Sequence, residues 1–133
     1  MRKVILRFVL LGISLGLISC GGRGEDGGFG FFTPPTYGAI AVNTSTGSAG
    51  ITANYKSQSE ANTGAIMQCG LLNCNVVLEY GSNLCAALAR GTNGVVFGWA
   101  SDSSRSDAKS KAMNQCMLNR GVSCEVKLDQ CNS

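Results

Sequence analysis

The feature that most constrains the fold is an internal repeat. Residues 57–61 (SQSEA) match residues 104–108 (SRSDA), and in both copies an Ala follows four residues later and a Gln-Cys pair seven and eight residues later. A second match relates residues 74–79 (CNVVLE) to residues 124–129 (CEVKLD). The offset between the copies is constant through the first match and widens by three before the second, as expected of a duplicated unit with an insertion. The duplication predicts one domain with pseudo-two-fold symmetry.

Both copies begin with a predicted β-hairpin. In the first, strand-like segments flank residues 43–48 (NTSTGS), which are rich in turn-forming residues. In the second, strands predicted at residues 84–89 and 95–100 flank residues 91–94 (GTNG). The Asn-Gly pair in that segment is typical of a tight hairpin turn, because these residues accept a positive φ.

A helix and a third strand follow each hairpin. Ser57 precedes Glu60, and Ser104 precedes Asp107, by three positions, which is the spacing of a helix N-cap. The order strand, strand, helix, strand, read twice, predicts a disulfide-stapled α+β domain of about six strands and two helices. The domain covers residues 37–133, with repeats at about 37–81 and 83–131.

Apolar spacing indicates which faces of these elements are buried. Small residues recur every four positions on each helix, a ridge that allows close packing on a sheet. The third strands alternate apolar and polar residues, so their apolar side chains are expected to share one face. These side chains are Val76, Leu78 and Tyr80 in the first copy, and Val126 and Leu128 in the second.

The cysteines predict three disulfide bonds. Six remain when Cys20, considered below, is set aside, and six cysteines allow fifteen pairings. Because one cysteine near each helix end and one before each third strand recur in both copies, each copy is expected to close its own loop. The predicted pairs are Cys69 with Cys74, Cys116 with Cys124, and Cys85 with Cys131. The alternative is a metal site, but the chain has no histidine and the Cys-x4-Cys and Cys-x7-Cys spacings do not match structural zinc sites. No metal or cofactor is therefore expected.

The N-terminal residues are typical of a bacterial lipoprotein signal. Residues 17–20 (LISC) resemble a lipobox, and they close an apolar run from residue 8 that is too short to span a bilayer. We expect cleavage before Cys20, acylation of Cys20, and a flexible Gly-rich tether over residues 20–36. The predicted signal peptide covers residues 1–19. Gly21 after the cysteine favours the outer membrane, and the alternative is an ordinary secretory signal.

Charge excludes nucleic acid as a partner. The sequence has 11 Lys and Arg against 8 Asp and Glu, and three of the cations lie in the signal peptide, so 11 − 3 = 8 of each sign remain after cleavage. Binding to nucleic acid requires a basic surface that neutralises several phosphates, and a chain with equal numbers of positive and negative residues is not expected to have one.

The residue types argue against an enzyme. Without histidine, neither a Ser-His nor a Cys-His nucleophile can form. A carboxylate pair is conceivable, but Glu60 and Asp107 are expected to cap helices, and Glu79 and Asp129 are expected at exposed strand ends. Trp99 is the only tryptophan, and we consider it either a core residue or an exposed binding anchor.

Several segments resemble a known family. Residues 37–41 (YGAIA), the Ser-Glu-Ala, Ala, Cys pattern of the helices, residues 85–89 (CAALA) and the repeated Cys-x-Val strand are similar to the domain of unknown function 4189 family of secreted bacterial proteins. The resemblance implies the duplicated fold, paired cysteines and an extracytoplasmic compartment. It implies no catalytic motif. The lipid anchor and the scarcity of aromatic residues in the hairpins depart from the family pattern.

Together these features favour a lipoprotein of the bacterial cell envelope that acts as a non-catalytic protein-binding module, such as an inhibitor or immunity-type protein. Its expected partners are the membrane, through the lipid, and another protein. The alternative is a secreted effector or enzyme acting on cell-wall or host material.

Overall fold

Each repeat folds into one three-stranded antiparallel sheet and one helix. The structure, a computed structural model, describes residues 33–133. The elements in chain order are β1 (Tyr37–Val42), β2 (Ala49–Tyr55), α1 (Gln58–Cys69), β3 (Asn75–Tyr80), β4 (Cys85–Arg90), β5 (Phe97–Asp102), α2 (Arg105–Leu118) and β6 (Glu125–Cys131). The predicted α+β class with a duplicated unit is confirmed. The predicted signal peptide, Cys20 and the tether up to residue 32 lie outside the described residues.

The two sheets pack face to face, and each carries a helix on its outer face. The strand order is β2-β1-β3 in one sheet and β5-β4-β6 in the other, so β1 and β4 are central. Ile40 of β1 and Leu88 of β4 are fully buried in the core between the sheets. Their neighbours Ala39 and Ala87 pack against α1 and α2 instead. Both faces of each sheet are therefore covered.

Small residues allow each helix to lie close to its sheet. A Cβ atom on Gly50 of β2 or Gly98 of β5 would overlap the helix backbone at the carbonyl oxygen of Ala65 or Ala112. Each helix packs three small residues against its sheet. They are Ala61, Ala65 and Cys69 in α1, and Ala108, Ala112 and Cys116 in α2.

The repeated serines and glutamines hold the helices in place. The Ser57 hydroxyl accepts a hydrogen bond from the Glu60 amide at 3.1 Å, and Ser104 accepts one from Asp107 at 3.2 Å, as N-caps do. A glutamine at the equivalent position of each helix accepts a hydrogen bond from an edge strand of its sheet. Gln68 Oε1 accepts from the Ile51 amide at 3.1 Å, and Gln115 Oε1 accepts from the Trp99 amide at 2.8 Å.

One prediction about the third strands is wrong. Leu78 pairs with Ile40 and Val76 pairs with Ala41, so Val77 is an extra residue that forms a β-bulge. Because the bulge shifts the register, Val76 packs against α1 while Leu78 packs in the core between the sheets. The same bulge occurs in β6, where Leu128 pairs with Leu88, Val126 pairs with Ala89, and Lys127 is the extra residue.

The second hairpin also differs from the prediction. A six-residue loop, 91–96, connects β4 to β5, so β5 begins at Phe97, two residues later than expected. Gly94 has a φ of 109°, but Asn93 is not in the left-handed region. The Asn93 side chain instead holds the loop before β6: it accepts from the Val122 amide at 2.9 Å and donates to the Arg120 carbonyl at 3.1 Å.

Three disulfide bonds join the six described cysteines, in the pairs that the repeat predicts. Cys69–Cys74 and Cys116–Cys124 close the two loops between helix and strand. Cys85–Cys131 links directly opposed residues of β4 and β6. Residues 34–133 form one compact unit that contains all three bonds.

Candidate binding surface at the loop end

Four loops, two from each repeat, meet at one end of the fold, which we call the loop end. Their contacts are direct: Asn43 Nδ2 donates to the Leu72 carbonyl at 3.0 Å, and the Thr92 amide donates to the Val122 carbonyl at 2.7 Å. The Arg90 Nη1 donates across the repeats to the Gly47 carbonyl at 2.6 Å. The loop end comprises residues 43–48, 70–74, 91–96 and 119–124, with the adjoining ends of the helices and strands.

Both ends of the described chain lie at the opposite pole. The Thr36 hydroxyl, just before β1, donates to the Ser133 carbonyl at 2.9 Å, and the Thr36 amide donates to Ser82 Oγ at 2.8 Å. Asn132, buried after β6, donates to the carbonyls of Tyr80 and Gly81 at 3.0 and 2.8 Å. The chain therefore enters the domain at the end away from the four loops.

Exposed apolar side chains concentrate at the loop end. Among the residues that the structure describes, eight large hydrophobic side chains are exposed, and seven of them lie in these loops or in the last turn of a helix. Leu72 is 79% exposed and Leu118 is 82% exposed. The others at this end are Met67, Leu71, Val95, Met117 and Val122, while Tyr55 lies at the opposite end. Exposed apolar side chains gathered in this way are typical of interaction surfaces, so the loop end is the candidate site.

The charges of the described domain are also unevenly distributed. The loop end has three cations, Arg90, Arg120 and Lys127, against one carboxylate, Glu125, a net charge of 3 − 1 = +2. The rest of residues 33–133 has four cations and five carboxylates, a net charge of −1. The Lys127 ammonium lies 2.8 Å from Glu125 Oε1 and holds the pKa of that carboxyl below its usual value. The loop end is therefore apolar and basic.

Carboxylates near the pole opposite the loop end connect strands to helices through side-chain contacts. Asp129 Oδ2 accepts from Arg105 Nε at 2.6 Å and lies 3.4 Å from Lys109 Nζ. Its repeat counterpart Glu79 accepts from Asn62 Nδ2 at 2.7 Å. Burial raises the pKa of Asp129, but the two cations outweigh that effect, so its pKa lies below the usual value. Glu79 faces α1 and Asp129 faces α2, and these helices cover the outer faces of different sheets, so the structure does not bring the two carboxylates together as a pair.

Asp102 forms a further ion pair away from the loop end. Its Oδ2 lies 2.6 Å from Lys111 Nζ, and this hydrogen bond lowers the pKa of Asp102 and raises that of Lys111. In residues 33–133, no three Cys, Asp or Glu side chains are grouped so as to hold a metal ion. Within the same residues, no helix has the length and apolar character needed to cross a membrane.

Trp99 lies in β5, opposite Leu88, and not in a loop. Its side chain is partly buried and packs against the core between the sheets, as does Phe97, which is only 4% exposed. This position favours the core role over the exposed anchor. The lipidation residue Cys20 lies outside the described residues.

The sequence alone did not single out the residues of the loop end. Leu118 ends α2, and Leu71, Leu72 and Val122 lie in the loops after the helices. These residues lack any periodic pattern, and only the fold brings them together. A usable signal was present for the cations, because the repeat places Arg90 and Lys127 where the first copy has valines. That difference becomes informative once the bulges fix the alignment.

The matched region identifies the family. A family model described as a domain of unknown function, DUF4189, matches residues 37–131. The chain belongs to the DUF4189 family. The match runs from β1 to the last residue of β6 and includes all six disulfide cysteines, so the resemblance expected from the sequence is confirmed.

This DUF4189 domain is also similar to a solved structure, the NMR structure of Rv1813c from Mycobacterium tuberculosis. The TM-score is 0.54 and the sequence identity is 22%, over 95% of this chain and 100% of that chain. At this identity the similarity concerns the fold alone. No curated protein is significantly similar to this chain.

Proposed function

We propose that this chain is a non-catalytic protein-binding module of the bacterial cell envelope, anchored by a lipid on Cys20, and that the loop end is its binding surface. The observation that carries the proposal is the position of the exposed apolar side chains, seven of eight in the described residues at the loop end. Three disulfides and two helix-covered sheets support these loops on a rigid frame. Loops on a rigid scaffold are where binding residues commonly lie.

The charge of the loop end indicates the character of the partner. Three cations and one carboxylate surround apolar side chains there, so an acidic surface with apolar contact residues is complementary. The chain enters the domain at Thr36, at the opposite pole, so the point where a tether would be attached does not occupy the loop end. This arrangement suits the capture of a protein partner near the membrane.

The proposal can be tested by retention of a partner. Leu72→Ser combined with Leu118→Ser should reduce the amount of the specific partner recovered from solubilised membranes at least tenfold, because exposed apolar contacts are lost. The domain itself should remain folded, since both side chains are exposed. Tyr55→Ser is the matched control, because Tyr55 is an exposed large side chain at the other end. Equal retention by the double variant and the control contradicts the proposal.

Carboxylate variants separate the binding module from the enzyme alternative. We expect Glu79→Gln and Asp129→Asn to leave partner retention within a few-fold, because these side chains connect helices to strands and lie away from the loops. Turnover of a cell-wall fragment by the purified protein, lost on one of these substitutions, would instead support the enzyme.

The lipid anchor has its own test. Cys20→Ser removes the thiol to which a diacylglycerol would be attached, so the precursor should remain uncleaved and carry no lipid mass. Fractionation of the wild-type protein should place it in the outer membrane. If the Cys20→Ser protein still enters the detergent phase with unchanged lipid mass, the prediction of a lipid anchor on Cys20 is wrong.

A further inference from the structure

Two crevices at the loop end reach the edge of the core between the two sheets. One, of about 290 Å³, is lined by Ala49, Leu128, Arg90 and Lys127, with the buried Leu88 and Phe97 at its floor. A second cavity, of about 380 Å³, shares Arg90 and Lys127 and has a polar rim that includes Thr46 and Thr92. Volumes of this order are typical of small-molecule sites. The two cations thus lie between an apolar crevice and a polar mouth.

The repeat shows that these two cations occupy positions where the first copy has valines. Ile40 and Leu88 occupy the same place in β1 and β4, and two residues further along, Val42 corresponds to Arg90. Val42 is only 1% exposed and belongs to the core between the sheets. In the third strands, the bulge residue Val77 corresponds to Lys127.

In the first repeat, therefore, both positions hold valines that pack in or against the core, and in the second repeat both hold a positive charge. Arg90 continues the row of Ala86 and Leu88, which faces the space between the sheets. A cation at such a position is costly in an apolar environment unless an anion or hydrogen-bond acceptor compensates it.

One carboxylate serves both cations, because Glu125 lies directly opposite Arg90 in the pairing of β4 with β6 and also pairs with Lys127. Arg90 Nη1 donates to the Gly47 carbonyl at 2.6 Å, which uses one of the five N–H donors of a guanidinium group. Lys127 lies 2.8 Å from Glu125, whose side chain is 61% exposed. Two cations share one carboxylate, so a net charge of 2 − 1 = +1 remains at the mouth of the crevice for a bound anion.

We propose that this crevice binds a single-chain anionic amphiphile, with its anionic head between Arg90 and Lys127 and its apolar chain along Ala49 and Leu128, above the buried Leu88 and Phe97. Arg90 supplies paired donors that fit a carboxylate or a phosphate, and Lys127 supplies a mobile point charge. This site shares Arg90, Lys127 and Val95 with the loop end, but the exposed side chains Leu72 and Leu118 do not line it, so it can be tested separately from the proposed protein partner.

The test uses residues 21–133, which is the mature chain without Cys20, exported behind a signal peptide that is not acylated, so that no lipid of its own competes. The described unit contains the complete core and all six paired cysteines, and it is unchanged by this replacement. Calorimetric titration below the micelle concentration should show one-to-one binding of decanoate, and binding of decanol at least tenfold weaker. Decyl phosphate in the same assay distinguishes a phosphate-headed lipid from a fatty acid as the better ligand.

The decisive variant is Arg90→Val with Lys127→Val, which restores the residues that the first repeat has at both places. It should lower the affinity for decanoate at least tenfold while the melting temperature stays equal or rises, because valine suits a core position. Arg120→Ala is the matched control, since Arg120 is a loop-end cation that does not line the crevice, and it should leave the affinity within twofold.

Three results would overturn the proposal. They are the absence of binding of both decanoate and decyl phosphate, equal affinity for decanoate and decanol, and unchanged binding by the folded double-valine variant. Loss of partner retention in the Leu72 and Leu118 variant has no bearing on these results, so the two proposals can fail separately.

Discussion

At the scale of single residues, hydrogen bonds at sheet edges explain why certain polar side chains recur in both repeats. Gln68 and Gln115 lie beside the close contacts of the helices with Gly50 and Gly98, and each accepts a hydrogen bond from the backbone of an edge strand. The recurrence of a glutamine before the helix cysteine was visible in the sequence. Its role was not, because the acceptor geometry depends on how closely the helix approaches the strand.

Substitution of Gln115 tests this role. Gln115→Ala leaves the partly buried Trp99 amide without its acceptor, and we expect the free energy of unfolding to fall by about 1–2 kcal/mol. Gln130→Ala, at an exposed position in β6, is the control and should change it by less than about 0.5 kcal/mol. Urea denaturation measures both, and equal effects would mean that the Gln115 contact contributes nothing.

The Asp129 ion pairs predict a dependence of stability on pH. Because Arg105 and Lys109 lower the pKa of Asp129 in the folded state, its contribution is present above the unfolded pKa of about 3.9 and is lost as pH falls through the folded pKa. The stability difference between wild type and Asp129→Asn should therefore be constant near pH 7 and shrink below about pH 4. A difference that grows on acidification would contradict this assignment.

At the scale of elements, the repeat predicted the order of the strands and helices, but alternation of apolar residues failed in β3 and β6. Each sheet is covered by the other sheet on one face and by a helix on the other, so both faces are apolar. Under those conditions Val76 and Leu78 are both buried to some degree whichever face each occupies. The bulges could therefore not be found from periodicity.

The disulfides differ in the length of chain that they close. Removing Cys85–Cys131 frees a loop with a sequence separation of 46, and removing Cys69–Cys74 frees one with a separation of 5. Loop entropy alone gives about 4 kcal/mol for the long loop and roughly 2 kcal/mol for the short one. We expect Cys85→Ala with Cys131→Ala to destabilise the domain more than Cys69→Ala with Cys74→Ala, as measured by chemical denaturation without reductant. The reverse order would show that the closed loops are not the main contribution.

At the scale of the whole molecule, the pseudo-two-fold relation brings the loops of both repeats to one pole and the chain ends to the other. The sequence predicted the duplication, but the meeting of residues 43–48 with residues 91–96 follows from face-to-face packing of the sheets. For that reason the candidate surface was not predictable from the motifs. Once the loops are known to meet, the exposed leucines and the net positive charge of this pole follow directly from the sequence.

The most direct test of the central claim is photo-crosslinking in living cells. A photoreactive phenylalanine analogue placed at Leu72 or Leu118 should give a discrete crosslink to one envelope protein, and an excess of unlabelled domain should compete for it. The same analogue at Tyr55, exposed at the opposite pole, should give none. Crosslinking from Tyr55 but not from Leu72 or Leu118, or no crosslink from any of the three, would contradict the assignment of the loop end as the binding surface.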